Sequence, residues 1–193
     1  MRGYFGIGVE GISKAMNVGS IFRTAHAFEA SFVFTVAATY TITEGSRADT
    51  SSTLNHTPFY EFPNPSSMVL PEKCTLVGIE LIEDSIVLPS FRHPARAAYV
   101  LGPERNSLSS EMVNLCDFIV KIPMQFCVNV SVAAAIVMYD RVHSMGRFQR
   151  RPERPGGPID APPEPIFGGP KFRAKTKKFS TRPPTDVHPK EDE

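Results

Sequence analysis

The chain has 193 residues, a net charge of +1, 18 prolines and three cysteines. That length suits one domain with a tail and is long enough to bury a core. Because the cysteines are odd in number and lack Cys-x-x-Cys spacing, we expect neither a disulfide framework nor a metal site. No apolar run reaches the ~18 residues of a membrane span, and the first residues lack a signal-peptide pattern. We therefore expect a cytoplasmic protein with no membrane segment.

Apolar runs of strand length alternate with helical patterns up to about Met145. The runs predict strands at 4–9, 31–38, 75–81, 97–101 and 117–122, and helices at 18–28, after the capping residue Ser109, and at 128–144. Strands that are apolar throughout are typical of a parallel sheet, so we predict an α/β fold with helices on both faces. The last helix carries apolar residues at helical spacing, which we expect to be buried. These are Val128, Val132, Ala135, Met138 and Val142.

The composition changes after Gly146. Ten prolines lie between Pro152 and Pro189, and residues 147–193 hold 11 Lys/Arg against 7 Asp/Glu. A segment with so few aliphatic residues cannot offset the entropy of ordering, so we predict one domain at 1–146 and a disordered basic tail at 147–193. Residues 171–178, KFRAKTKK, suit either RNA phosphates with a stacked base or a solvated linker.

Residues 6–11, GIGVEG, match the dinucleotide fingerprint GxGxxG. That motif requires a complete strand before its first glycine and a helix that receives a pyrophosphate. Only five residues precede Gly6, so close backbone packing of the glycines is the alternative interpretation. A nucleotide-binding oxidoreductase remains a minor alternative on this motif.

Three further segments place polar residues beside helices or strand ends. In NVGSIFRT, Asn17 can cap a helix and Arg23 lies nearly two turns further on. In LGPERNSLS, Gly102 permits close backbone approach and is followed by Pro103 and Glu104. Taken alone, the first pattern more often describes a solvated surface arginine, and the second more often an ordinary turn at the end of a strand.

The third segment has a strand ending in Ile122 and Pro123, then Asn129 and Ser131 at the start of a helix. Together the three segments resemble the motifs of the SpoU/TrmH family of SPOUT RNA methyltransferases. The resemblance covers residues 1–146. It implies a C-terminal trefoil knot, an exception to the rule against knotted chains. It also implies transfer of a methyl group from S-adenosylmethionine to the ribose 2′-hydroxyl of tRNA or rRNA, with S-adenosylhomocysteine as product, by a homodimer whose subunits share the site.

The resemblance also implies which residues act. The catalytic group is Arg23, Asn17, Glu104, Asn129 and Ser131, and Arg23 of one chain is expected to complete the site of the other. The cofactor-binding group is Ile79, Glu80, Leu101, Gly102, Pro103, Ile122, Pro123, Met124 and Val128. RNA would be held by the tail or by a basic patch at Arg92 and Arg96.

The third segment departs from the family pattern at two points. Cys127 replaces a serine, and the loop after Met124 is shorter than usual. A thiol is a weak hydrogen-bond donor, so we expect Cys127 to be a packed residue and not a nucleophile. These departures keep a catalytically inactive RNA-binding protein of the same fold as the main alternative.

Overall fold

The computed structural model describes residues 3–39, 56–103, 106–146, 148, 151–152 and 155–157. Residues Met1–Phe148 form one compact unit. The predicted tail lies almost wholly outside the described residues, so its boundary and its disorder stay predictions. No helix in the described ranges is long and apolar enough to cross a membrane. The elements run in the order β1 (Tyr4–Glu10), α1 (Ala15–Ala27), β2 (Phe32–Val36), β3 (Phe59–Phe62), β4 (Thr75–Ile79), β5 (Ile86–Val87), β6 (Arg96–Leu101), α2 (Ser110–Leu115), β7 (Phe118–Lys121) and α3 (Val130–Met145).

The strands form one seven-stranded sheet in the order β3-β2-β1-β6-β4-β7-β5. Every pairing is parallel, as the continuous apolar runs predict. The register aligns the carboxyl ends of the three central strands, because Leu101 of β6 pairs with Val9 of β1 and with Ile79 of β4. Loops that follow these strands therefore meet at one edge of the sheet, where ligands bind in open α/β folds.

Helices cover both faces of the sheet, which confirms the predicted fold class. On one face α1 and α3 pack over a core that includes Ile21, Tyr99 and Met138. On the other face α2 and the segment around Met68 cover a second cluster that includes Phe34. The trefoil knot stays a prediction.

The two edge strands, β3 and β5, are absent from the sequence prediction. β3 has only four residues, and its central pair, Tyr60 and Glu61, is exposed. β5 has two residues. Short edge strands with solvated side chains lack the apolar run that identifies a buried strand.

The helix termini also correct the sequence prediction. Lys14, and not Asn17, is the N-cap of α1, so Asn17 lies inside the first turn and is buried. In α3, Asn129 is the N-cap, and its Oδ1 accepts a hydrogen bond from the backbone N–H of Ser131 (2.8 Å). Val128 therefore precedes the helix.

The buried face of α3 differs from the predicted stripe. Of the predicted residues only Met138 is buried, and Val132 is 47% exposed. The observed stripe includes a buried arginine, Arg141, which an apolar pattern cannot reveal. Its members are Val130, Ala134, Val137, Met138 and Arg141.

Gly6 and Gly8 of GIGVEG lie inside β1 and Gly11 directly follows it, so the first two glycines do not form a phosphate-binding turn. A Cβ atom on Gly6 or Gly8 would overlap the ring of Phe32 or Phe34 on the neighbouring strand. The glycines thus make room for aromatic rings that cross over the strand, which is the packing interpretation. This geometry removes the basis for a dinucleotide-binding oxidoreductase.

Arg141 ties the end of α3 to the sheet. Its guanidinium, 3% exposed, donates hydrogen bonds to the carbonyl oxygens of Pro94 (2.7 Å), Tyr4 (3.1 Å) and Ala95 (3.1 Å), and to Tyr99 Oη (2.9 Å). It also lies 5.1 Å from the ring centre of Phe5. Both terminal nitrogens of the guanidinium thus donate two hydrogen bonds each, as a buried charge requires.

Candidate active site

A cavity of about 560 Å³ opens where β4, β6 and β7 end and α3 begins. Its size falls in the usual range for small-molecule sites, and its floor is apolar. The buried side chains of Ile79, Leu101 and Ile122, each at or just after the end of a strand, form part of that floor. The cavity is therefore a product of the aligned strand ends.

Most of the predicted cofactor residues line this cavity. The eight that do so are Ile79, Glu80, Leu101, Gly102, Pro103, Ile122, Met124 and Val128. Pro123, the ninth, is exposed in the loop and does not line it. Cys127, which the sequence analysis expected to be packed, also lines the cavity. The lining residues that the sequence analysis did not assign to a site are Lys14, Leu81, Asn106, Ser107, Lys121, Val130 and Ala133. These flank the motif residues, and only their proximity in the chain signals their position.

Glu80 has its carboxylate occupied by the protein backbone. Its Oε1 accepts from the N–H of Leu81 (2.8 Å), and its Oε2 accepts from the N–H of Leu108 (2.8 Å). The side chain therefore fixes the loop that follows β6, in addition to lining the cavity.

Asn129 joins the first and third segments at the cavity rim. Its Nδ2 donates to Asn17 Oδ1 (3.1 Å), while its Oδ1 accepts from both the N–H and the Oγ–H (2.7 Å) of Ser131. Asn129 lines the cavity, whereas Asn17 and Ser131 lie behind it. The structure thus brings three of the five predicted catalytic residues together. Two of them, Asn17 and Asn129, are 112 positions apart in the chain.

The other two predicted catalytic residues are not placed at the cavity. Arg23 lies on the exposed surface of α1 and does not line the cavity of its own chain. Glu104 lies outside the described residues. Arg92 and Arg96 are exposed near the start of β6, at the opposite end of that strand from the cavity.

Cys127 is exposed and lines the cavity, which corrects the expectation of a packed residue. The short loop after Pro123 leaves Phe126 77% exposed beside it. Few residues connect β7 to α3, so the loop does not fold back over the side chains of Phe126 and Cys127.

Groups with shifted pKa values lie elsewhere. Burial raises the pKa of the Cys116 thiol to about 12 and raises the pKa of Cys74. Burial also lowers the pKa of His93. None of the three lines the cavity, so none is a candidate acid or base for this site.

A family model described as the SpoU rRNA Methylase family matches residues 5–139, which hold all three motif segments and the cavity. The chain belongs to the SpoU rRNA methylase family. This membership confirms the family inferred from NVGSIFRT, LGPERNSLS and the segment that begins at Ile122.

Individual proteins of this family resemble the chain over most of its folded part. It is 30% identical over 149 residues to an "Uncharacterized tRNA/rRNA methyltransferase" of Archaeoglobus fulgidus, a match that covers 71% of this chain and 63% of that protein. The chain thus spans less than two thirds of that relative's length.

Two solved structures share the fold. The SpoU methyltransferase AviRb from Streptomyces viridochromogenes, in complex with the cofactor AdoMet, superposes with a TM-score of 0.66 at 22% identity over 74% of this chain and 58% of that chain. A chain from a structural study of the 2-OH methylation of C/U34 on tRNA gives a TM-score of 0.65 at 19% identity, over 75% and 98% of the two chains. At these identities the likeness shows a shared SpoU fold.

Proposed function

We propose that the protein is an S-adenosylmethionine-dependent methyltransferase that modifies the ribose 2′-hydroxyl of tRNA or rRNA. The observation that carries the proposal is the cavity itself, because its wall unites the second and third motif segments of the SpoU family at aligned strand ends. Support also comes from AviRb, which was solved with AdoMet, and from the protein whose study concerns 2-OH methylation on tRNA.

The residues of the cavity fit the cofactor. An apolar floor of Ile79, Leu101 and Ile122 suits a flat purine ring, and the strand-end backbone groups suit its polar edges. At Gly102, a Cβ atom would lie 3.0 Å from the backbone nitrogen of Leu108, so glycine lets the cavity loop pass close to the strand end. When bound there, S-adenosylmethionine would supply an electrophilic methyl group for the ribose oxygen.

The side chains of the chain orient the nucleophile. Asn129 is held by Asn17 and Ser131, so its amide has a fixed direction at the rim where a ribose would lie. The planar guanidinium of Arg23 has five N–H donors and no acceptor, so it suits binding of an RNA phosphate or of developing charge and not proton removal.

The proposed assembly is a homodimer. Large apolar side chains are exposed on the two helices that share one face of the sheet: Met16 (79%) on α1, and Val132 (47%) and Tyr139 (56%) on α3. An exposed apolar face of this kind is typical of a protein interface. Arg23 lies on the same exposed side of α1, so a partner on this face would bring Arg23 towards the partner's cavity.

The first experiment is calorimetric titration with S-adenosylhomocysteine, with NAD as the control ligand. We expect saturable binding at one site per chain and no binding of NAD. Methylated RNA is then digested to nucleosides, where a 2′-O-methyl nucleoside supports the proposal and a base-methylated nucleoside contradicts its 2′-O part. Binding of S-adenosylhomocysteine without methyl transfer to any cellular RNA fraction would instead favour the inactive RNA-binding protein.

A second experiment tests whether Arg23 acts across subunits. Arg23→Ala and Asn129→Ala variants, each inactive alone, are mixed and allowed to exchange subunits. If Arg23 serves the partner's cavity, one site of each mixed dimer has both natural residues and activity returns. No recovery, in dimers shown to have exchanged, contradicts the shared site. Lys73→Ala is the matched control, since Lys73 is exposed and precedes β4, at the opposite end of that strand from the cavity.

A further inference from the structure

Glu10 is a buried carboxylate that the proposed chemistry does not use. It is 6% exposed, is the last residue of β1 and does not line the cavity. Its Oε2 accepts from the backbone N–H of Ser109 (2.8 Å), and its Oε1 accepts from Ser109 Oγ (2.6 Å). Ser109 Oγ in turn accepts from the N–H of Met112 (3.1 Å), which caps α2.

A second carboxylate holds the preceding residue. Glu80 follows β4 directly and accepts from the N–H of Leu108. β1 and β4 are the two neighbours of β6, and Val9 and Ile79 both pair with Leu101, so Glu10 and Glu80 stand at the level of Gly102 on either side. Consecutive backbone N–H groups are therefore held by carboxylates from both flanking strands.

We propose that Glu10 is a positioning residue for cofactor binding, a role that rests on the proposed function. By holding Ser109, it fixes the end of the loop whose residues Gly102, Pro103, Asn106 and Ser107 wall the cavity. Charged acceptors make stronger hydrogen bonds than neutral ones, and burial strengthens them further. The loop is thus set in its binding shape before the cofactor arrives, which lowers the ordering cost of binding.

The contact of residue 10 with Ser109 requires a carboxylate and not only a polar side chain. A carboxylate accepts two hydrogen bonds from Ser109 at once, one from the N–H and one from the hydroxyl. A glutamine at position 10 has one oxygen acceptor, and its amide nitrogen cannot accept from the Ser109 hydroxyl. Glu10→Gln therefore keeps the size of the side chain but removes its charge and one of its two acceptors. The bond from the Ser109 hydroxyl is replaced at most by a weaker neutral bond from the glutamine amide N–H to Ser109 Oγ.

The test compares Glu10→Gln with Glu111→Gln. Glu111 lies in the first turn of α2, is exposed and accepts from Ser66, so its variant makes the same charge change on the anchored helix away from the cavity. Calorimetry gives the dissociation constant for S-adenosylhomocysteine, and amide hydrogen exchange gives the protection of Leu108 and Ser109.

For Glu10→Gln we expect an about tenfold weaker dissociation constant and about tenfold faster exchange at Leu108 and Ser109. We expect the Glu111→Gln control to match wild type. In turnover assays, KM for S-adenosylmethionine should rise while kcat at saturation is retained, a split that simple loss of folded protein would not produce. Ser109→Ala keeps the N–H bond to Glu10 but removes both the hydroxyl bond and the cap of α2. Because both single variants lose the hydroxyl bond, the double variant should lose less than the sum of the two.

Wild-type affinity and wild-type protection in Glu10→Gln would overturn the inference. So would equal losses in Glu10→Gln and Glu111→Gln, since the effect would then be one of charge on α2. If the wild-type protein itself binds no S-adenosylhomocysteine, the proposed function fails, and the cofactor role of Glu10 fails with it. If instead the wild type and Glu10→Gln bind S-adenosylhomocysteine equally well, only the role of Glu10 fails and the proposed function stands.

Discussion

Replacing Arg141 by methionine is expected to destabilise the fold more than any surface change. Methionine fills similar space but removes four hydrogen bonds, three of them to partly buried backbone carbonyls that lose their charged donor. It also removes the stacking of the guanidinium over Phe5 (5.1 Å) and Tyr99 (5.7 Å).

The size of the effect follows from two opposing contributions. Each bond from a charged donor has a net value of about 1.5–3 kcal/mol, but the sum is offset by the cost of desolvating the guanidinium. A carbonyl oxygen left without its donor costs about 1–3 kcal/mol, so the loss at three carbonyls, after this offset, is about 3–5 kcal/mol. We expect that loss in the free energy of unfolding for Arg141→Met, or a Tm lower by about 6–20 °C for a domain of this size.

The assay is urea denaturation followed by circular dichroism, with linear extrapolation to water. The control is Arg92→Met, an exposed arginine whose loss should change stability by less than about 0.5 kcal/mol. Arg141→Lys should recover part of the loss, because an ammonium keeps the charge but not the planar fork. A loss below about 1 kcal/mol for Arg141→Met would refute the reasoning, as would a loss equal to that of the control.

Three further predictions concern the burial of His93, the exposure of Cys127 and the packing around Gly8. Burial lowers the pKa of His93 below 6.5. As the pH drops below 6.5, the unfolded chain therefore binds a proton at His93 before the folded protein does, and the free energy of unfolding should fall. A His93→Gln variant whose free energy of unfolding has the same dependence on pH would contradict this prediction. Cys127, exposed in the cavity, should be alkylated before the other two cysteines and be protected by S-adenosylhomocysteine in mass-spectrometric mapping. Gly8→Ala, which overlaps the Phe34 ring, should cost about 1–3 kcal/mol in urea melts, while Gly157→Ala, with open space around it, should be neutral.

The central strands could be predicted because each is buried on both faces and so is apolar throughout. Val33 and Val77 are fully buried in two such strands. The edges could not be predicted, since exposed side chains such as Tyr60 interrupt the pattern there. Arg141 was missed for a similar reason: a charged residue is read as exposed unless its partners are known, and those partners come from distant strands.

The residues of the candidate site also differ in whether they could be predicted from the sequence. Gly102 and Asn129 lie in local motifs whose residue spacing can be seen in the sequence. Glu10 and Ser109 are 99 positions apart, and nothing in either local sequence indicates that they meet. The proposed cross-subunit role of Arg23 involves a second chain, so it came from the family resemblance and not from residue spacing.

The bond from Arg141 to the carbonyl of Tyr4 spans 137 positions and joins the last helix to the first strand. Contacts of such length form slowly, because the intervening chain must lose its freedom before the contact can stabilise anything. During synthesis, β1 leaves the ribosome long before its guanidinium partner does. The amino-terminal half therefore has an incomplete core until Arg141 has been synthesised. A chain that ends before Arg141 should be bound by chaperones or degraded by proteases instead of folding.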